Sequence, residues 1–367
     1  MIPVEYYKPV YFILLTLLLV VIFLPDYLRK TINAVKSTPK KFVLIALLAI
    51  TIAFIGLRAT NASPEYLGDT IQYTRVYESV KYGYRTEFTK DYGFYYFMKL
   101  STKIFDVRWF YVICALIYIL LPYFTLKKWF RDYAVYALIV YITAFSFLPF
   151  GINGLRNGLA SAIFIFGLGF ANKKWLMYGL FVLSVTFHKG MLLPLFAFVL
   201  TNFIKSPKKL LLFWIASIPI SLLIGENIES IVLSIFSSQS FIQDERALTY
   251  FLEKSSIEKV AGQFRIDFIL YSAVAVFVGY WGVLKKGLEN QLYRQIWSLY
   301  VISNAIWILL IYAPYTNRIA YLSWFIMPVV LVAPFISDVK FSIKNKKTKL
   351  LYVMYGSLAF TLIMELL

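Results

Sequence analysis

Three arginines, one histidine and one aspartate are the residues of this chain best suited to do chemistry. Arg156 stands in the turn "GINGLRNGLAS" between two apolar runs, with no acidic residue within ten positions on either side. Arg58 closes the run "AFIGLR", and Arg318 opens another in "TNRIAYLSWF". His188, in "SVTFHKGMLLP", is the only histidine. Guanidinium forks pair with phosphate oxygens bidentately and stay charged, so arginines at the ends of apolar runs suit a lipid-borne diphosphate. An acceptor hydroxyl would then need a base; an imidazole such as that of His188 is the side chain intrinsically suited to the task, and Asp69 offers simpler carboxylate chemistry. Taken singly, each residue also has a structural use, since an arginine at a span's end can snorkel and a histidine can cap a helix. The functional reading rests on the set. No metal and no cofactor is expected, because no His, Cys or carboxylate cluster has ligand spacing. The single cysteine, Cys114, lies inside an apolar run and excludes an intramolecular disulfide.

The elements that must position these residues are set by composition. Of 367 residues 60% are hydrophobic and 15% charged, where a soluble domain carries roughly a quarter charged. The expectation is an all-α, polytopic membrane bundle forming one integral domain over residues 1–367. Spans are expected at about 10–28, 42–57, 107–126, 134–150, 158–172, 175–188, 190–204, 210–225, 266–284, 296–313, 318–337 and 350–366, about twelve in all. Several are near 15 residues, short for a core of about 30 Å, so some must be tilted or half-crossing. Six alternate links hold 21 basic residues against four acidic ones, and the remaining segments hold 16 against 15. By the positive-inside rule the first set faces the cytoplasm and both termini face out. The high net charge of +18 is thereby read as topology and contact with anionic headgroups, not as nucleic-acid binding.

Two long links, 58–106 and 226–265, then face outward. In the first, Asp69, Tyr73, Val76, Tyr77 and Val80 repeat at helical spacing, and "DYGFYYFMKLSTKIF" is too short and polar to span. In the second, Ile228, Ile231, Val232, Ile235 and Phe236 repeat likewise. Both read as interfacial helices that either roof a cavity or pack its rim. The middles of the spans lack Asp, Glu, Lys, Arg and His, which collect at the outer ends: Arg58, Arg108, Arg156, His188 with Lys189, Asp267 and Arg318. A proton-driven carrier would keep carboxylates near the midplane.

In order along the chain, "GLR" at 56–58, "LGDTIQY" at 67–73, "DYGFYYFMKL", "NGLRNGLASAIFIF", "SVTFHKGMLL" and "TNRIAYLSWF" resemble the EpsG-like family of bacterial polysaccharide polymerases, functionally of the Wzy type. The resemblance covers about residues 10–337. It implies a C-type (GT-C-like), metal-independent glycosyltransferase at the outer face of the bacterial inner membrane, active in O-antigen or exopolysaccharide biosynthesis. The substrates it implies are undecaprenyl-diphosphate-linked oligosaccharides, with membrane lipid and a chain-length regulator as partners and no nucleic acid. For that reaction the charge pattern makes Arg156 and Arg318 the candidates for a diphosphate clamp, with Arg58 third, and His188, slightly ahead of Asp69, the candidate base. Tyr73, Asp91, Asn157 and Asn317 fall at further motif positions as substrate or loop candidates. The chain departs from the family at two of them: Asn157 stands where Gln is common, and Asp91 where Glu is common. An O-antigen ligase or other lipid-linked sugar transferase, and a polysaccharide carrier or flippase, are the alternatives.

Overall fold

The computed structural model describes residues 3–28, 38–84, 90–238, 264–285, 290–313, 316–336 and 346–366. Among these residues the regular structure is entirely helical. Helices α1 (Tyr7–Leu28), α2 (Thr38–Gly56), α3 (Pro64–Leu67), α4 (Thr70–Lys81), α5 (Tyr92–Thr102) and α6 (Val107–Phe130) open the chain. They are followed by α7 (Ala134–Ile142), α8 (Phe147–Ile152), α9 (Leu155–Leu168), α10 (Lys174–Phe187), α11 (Leu192–Leu200) and α12 (Pro207–Ser238). Last come α13 (Ile266–Lys285), α14 (Gln291–Leu309), α15 (Thr316–Trp324), α16 (Met327–Ile336) and α17 (Lys346–Leu366).

Four helical stretches among the described residues are long and apolar enough to cross a membrane: Val107–Ile142, Pro207–Ile224, Ile266–Leu284 and Thr316–Ile336. Lys41–Gly56, Leu155–Leu168, Lys174–Phe187 and Lys189–Leu200 are apolar but shorter. At 1.5 Å per residue the 14 residues of α9 reach about 21 Å, less than a hydrocarbon core of about 30 Å. The helices expected in the first link are present as α4 and α5. The second link differs from expectation: residues 226–238 continue α12 instead of starting a separate surface helix. Gly225 is the only breaker there, and one helical glycine costs about 1 kcal/mol, too little to end a helix. The rest of that link, 239–263, lies outside the described residues.

The chain forms two compact units, residues 1–191 with 332–367, and residues 192–331. In the first, α9 lies alongside α6 in the same direction, with Thr125 Oγ1 donating to the Ile165 carbonyl at 3.3 Å, and α10 turns back along α9. Phe164 of α9 stacks on Phe181 of α10 with centroids 4.0 Å apart. Glycine at 158 lets α9 fold back on α8, since a Cβ there would lie 3.0 Å from the Phe150 carbonyl carbon. The two ends of this bundle are chemically different. Lys128 donates to the Gly169 carbonyl at 2.6 Å, bringing the end of α6 and the end of α9 together beside Lys127, Lys173 and Lys174. Arg58, Asp91, Arg156 and His188 collect at the opposite end.

The second unit is organised around Asn304 of α14, which is fully buried. Its Oδ1 accepts from Trp214 Nε1 at 2.8 Å, and its Nδ2 donates to Ser272 Oγ and Ser323 Oγ, each at 3.0 Å. One satisfied amide therefore ties α12, α13, α14 and α15. Inside an apolar interior such a network fixes one packing, because any slip would leave a polar group bare.

Candidate functional site

The site is built where α5 meets the end of α10 and the start of α9. Asp91 caps the N-terminus of α5 with φ 50° and ψ 45°, the left-handed region that Asp tolerates better than most residues. Two residues on, a Cβ at Gly93 would lie 3.0 Å from the Thr186 carbonyl carbon and closer still to the Thr186 hydroxyl. Glycine there permits the first turn of α5 to touch the last turn of α10. Phe94 and Phe97 then pack on Phe187 at 6.5 and 6.0 Å, and both also face Phe110 of α6. This aromatic cluster sets the depth of α5, and hence of Asp91.

The Asp91 carboxylate is 4% exposed and fully engaged. Its Oδ2 accepts from Arg156 Nη1 at 2.6 Å, and its Oδ1 accepts from the Lys189 backbone N–H at 3.0 Å. His188 Nδ1 faces the same Oδ2 at 3.6 Å and is buried without a hydrogen-bond partner. Burial alone would raise the Asp91 carboxyl, but His188, Arg156 and the Lys189 N–H more than offset it and hold the group below its ordinary value. Arg156 and His188 both keep about a quarter of their side chains exposed, at 25% and 28%. A buried anion thus stands behind a cation and an imidazole that remain accessible.

Tyr73 of α4 is buried beside this cluster, in electrostatic reach of Arg156, Asp69, Tyr95 and Arg58. Asp69 is anchored through its backbone: its N–H donates to Asn153 Oδ1 at 3.0 Å. The preceding Gly68 has φ 52°, and a Cβ there would meet Asn153 Oδ1 at 2.6 Å. Asn153 therefore clips the start of α4 to the α8–α9 junction that presents Arg156. Arg58 sits deeper than expected for a surface clamp, at 2% exposure. Its Nη1 donates to the Ile55 and Gly151 carbonyls at 2.8 and 2.9 Å, and its guanidinium lies 4.1 Å from the centre of the Tyr111 ring. Nε and Nη2 have no partner. Asn157 is buried in α9 with its Oδ1 unpartnered. Arg318 and Asn317 belong to the second unit, at the first turn of α15, where Asn317 Oδ1 accepts from the Arg318 N–H at 3.0 Å. Trp307 Nε1 fixes that turn by donating to Thr316 Oγ1 at 2.8 Å. Among the described residues no three His, Cys, Asp or Glu side chains converge as metal ligands.

Sequence reasoning missed Asn153 and Gly93. Both sit inside motifs already singled out, "GINGLR" and "DYGF", but their partners are distant in sequence and no local pattern names them.

The sequence pattern of the EpsG family matches residues 41–366, which include every residue of this cluster. The chain belongs to the EpsG family. No curated protein and no solved structure is similar enough to add to that assignment. For an EpsG-family chain built of apolar helices, membership points to an integral membrane protein with a polysaccharide polymerase-type function. Within this EpsG-family chain, the Asp91 cluster joins three separate sequence motifs into one place.

Proposed function

We propose that this EpsG-family protein is a Wzy-type polysaccharide polymerase of the bacterial inner membrane. It joins a glycan on undecaprenyl diphosphate to a repeat unit on the same lipid, at the outer face. The acceptor's hydroxyl attacks the anomeric carbon of the donor sugar as His188 takes its proton. The bond from that carbon to the diphosphate oxygen breaks, its electron pair stays on oxygen, and undecaprenyl diphosphate leaves. Negative charge grows on the leaving group, and a fixed guanidinium in a partly dry site stabilises it without reorganising. Arg156 takes this role; Arg318, in the other unit, is by its motif position a separate phosphate-binding candidate. Arg58 is covered by protein and held on the Ile55 and Gly151 carbonyls, so it takes no direct part in this clamp.

The observation that carries the reading is the meeting of Arg156 and His188 on one buried carboxylate, each still exposed on its other side. An accessible guanidinium and an accessible imidazole held on one anion support the reading, because the transfer needs a cation for the diphosphate and a base for the hydroxyl. The test is purified protein with lipid-linked repeat units alone, no membrane gradient and excess chelator. Polymer formed by the natural chain and lost in His188→Ala supports the reading. Polymer lost in Asp69→Ala but retained in His188→Ala moves the base to Asp69. No polymer under any condition, alongside transport of lipid-linked units across vesicles, overturns the enzyme in favour of a carrier.

A further inference from the structure

We propose that Asp91 is a positioning residue that fixes the tautomer of His188: Nδ1 carries the proton and faces the carboxylate, and Nε2 is left bare to accept one. Its catalytic consequence rests on the polymerase reading; the tautomer itself does not. The carboxylate has little freedom to turn, because Arg156 Nη1 holds Oδ2 at 2.6 Å and the Lys189 N–H holds Oδ1 at 3.0 Å. Its backbone is equally fixed, by the left-handed cap of α5 and the close approach at Gly93. Into this fixed anion His188 points Nδ1, 3.6 Å from Oδ2, with no other hydrogen-bond partner.

An imidazole nitrogen facing a buried carboxylate has two options. A lone pair there repels the carboxylate oxygens, and an N–H is attracted to them. Low local dielectric sharpens the difference, since the same charges interact more strongly than in water. The choice at Nδ1 dictates the other nitrogen, because neutral imidazole carries one proton. The charged and titratable groups around the pair are Arg156 from α9, Lys189 after α10, Tyr73 from α4 and Tyr95 from α5. Because Arg156 holds the same carboxylate, base and cation are set in register by one side chain. A base whose acceptor nitrogen is preset loses no time in the wrong tautomer.

The chain has a single histidine, so its imidazole nitrogens can be read without overlap. Full-length protein labelled with ¹⁵N-histidine in lipid nanodiscs, above the pH at which the imidazole is charged, should show a protonated Nδ1 and a bare Nε2. In Asp91→Asn the amide N–H₂ can face Nδ1, so the population should move toward the Nε2-protonated form. The same variant should lose about 10²- to 10⁴-fold in kcat with little change in KM for the lipid-linked unit, the range for a lost general base. A natural chain already in the Nε2-protonated form overturns the proposal, and so does an unchanged tautomer in a folded Asp91→Asn. If Asp91→Asn fails to fold, the natural chain's spectrum still decides. Absence of polymerisation by the natural chain would sink the polymerase reading and leave the tautomer result standing.

Discussion

Arg156 donates Nη1 to Asp91 Oδ2 at 2.6 Å across 65 residues of sequence. The arginine that has no acidic neighbour along the chain has one in space, and that acid is nearly closed to solvent. Arg156 also engages the Tyr73 hydroxyl and keeps about a quarter of its side chain exposed, so the pair is a mount for the cation as well as a counter-charge. Removing either partner leaves a buried or half-buried charge uncompensated, which is costlier than the pair is worth.

Arg156→Lys keeps the charge but cannot hold Asp91 and a phosphate with one planar fork. It should cost roughly 2 kcal/mol or more of transition-state stabilisation, about 30-fold in rate. Initial rates of polymer formation at matched protein levels measure this. Arg318→Lys should fall similarly, and wild-type rates in both would return these arginines to a purely structural use.

The Asp91 carboxyl is held below its ordinary value of 3.8, so the ionised form favours the folded state. That contribution is fully present above the unfolded value near 4 and is lost as pH falls through the lower folded value. Thermal melts of the natural chain should therefore lose stability on acidification below about pH 4. Asp91→Asn should be less stable at neutral pH and show a shallower acid limb; parallel curves would mean that the pair adds nothing.

Gly93→Ala forces a Cβ to 3.0 Å from the Thr186 backbone carbon. Overpacking of this kind typically costs about 1–3 kcal/mol, so the melting temperature should drop. Thr186→Ala in the same chain removes the hydroxyl but not the backbone contact, and should restore only part. Full tolerance of Gly93→Ala would show that α5 can shift without harm.

Asn153→Ala takes the acceptor from the Asp69 N–H and should cost about 1–2 kcal/mol where that group is partly buried. If the clip matters to the site, polymer yield should fall further than the stability loss explains. Activity and melting temperature measured on the same preparation separate the two effects.

Asn61→Cys should react with an impermeant thiol reagent in cells stripped of outer membrane, and Ser342→Cys should not, if the lysine-rich links are cytoplasmic. Cys114 is fully buried and should give little background. Labelling confined to Ser342→Cys would reverse the orientation and with it the outward-facing site.

Residue types and local spacing determined a good deal by themselves. Apolar runs dictate helices, because a chain without water must satisfy its backbone within each segment. The spacing in 69–80 yields α4, and "DYGFYYFMKL" yields α5, since both patterns are local. Arg156, His188 and Tyr73 are legible as candidates, because charged and polar groups beside apolar runs are costly without a use. Only the tertiary structure decided who meets whom. Asp91 reads in sequence only as a substrate or loop candidate standing where Glu is common, yet it becomes the shared acceptor, because α5 packs on α10 through a glycine and an aromatic cluster. Arg58 reads as a surface cation and instead is buried against carbonyls and Tyr111. The link at 226–238 reads as a loop helix and instead prolongs α12. Composition reports what each segment must do with its own backbone; ion pairs and close approaches depend on contacts between segments far apart in the chain, which local spacing does not encode.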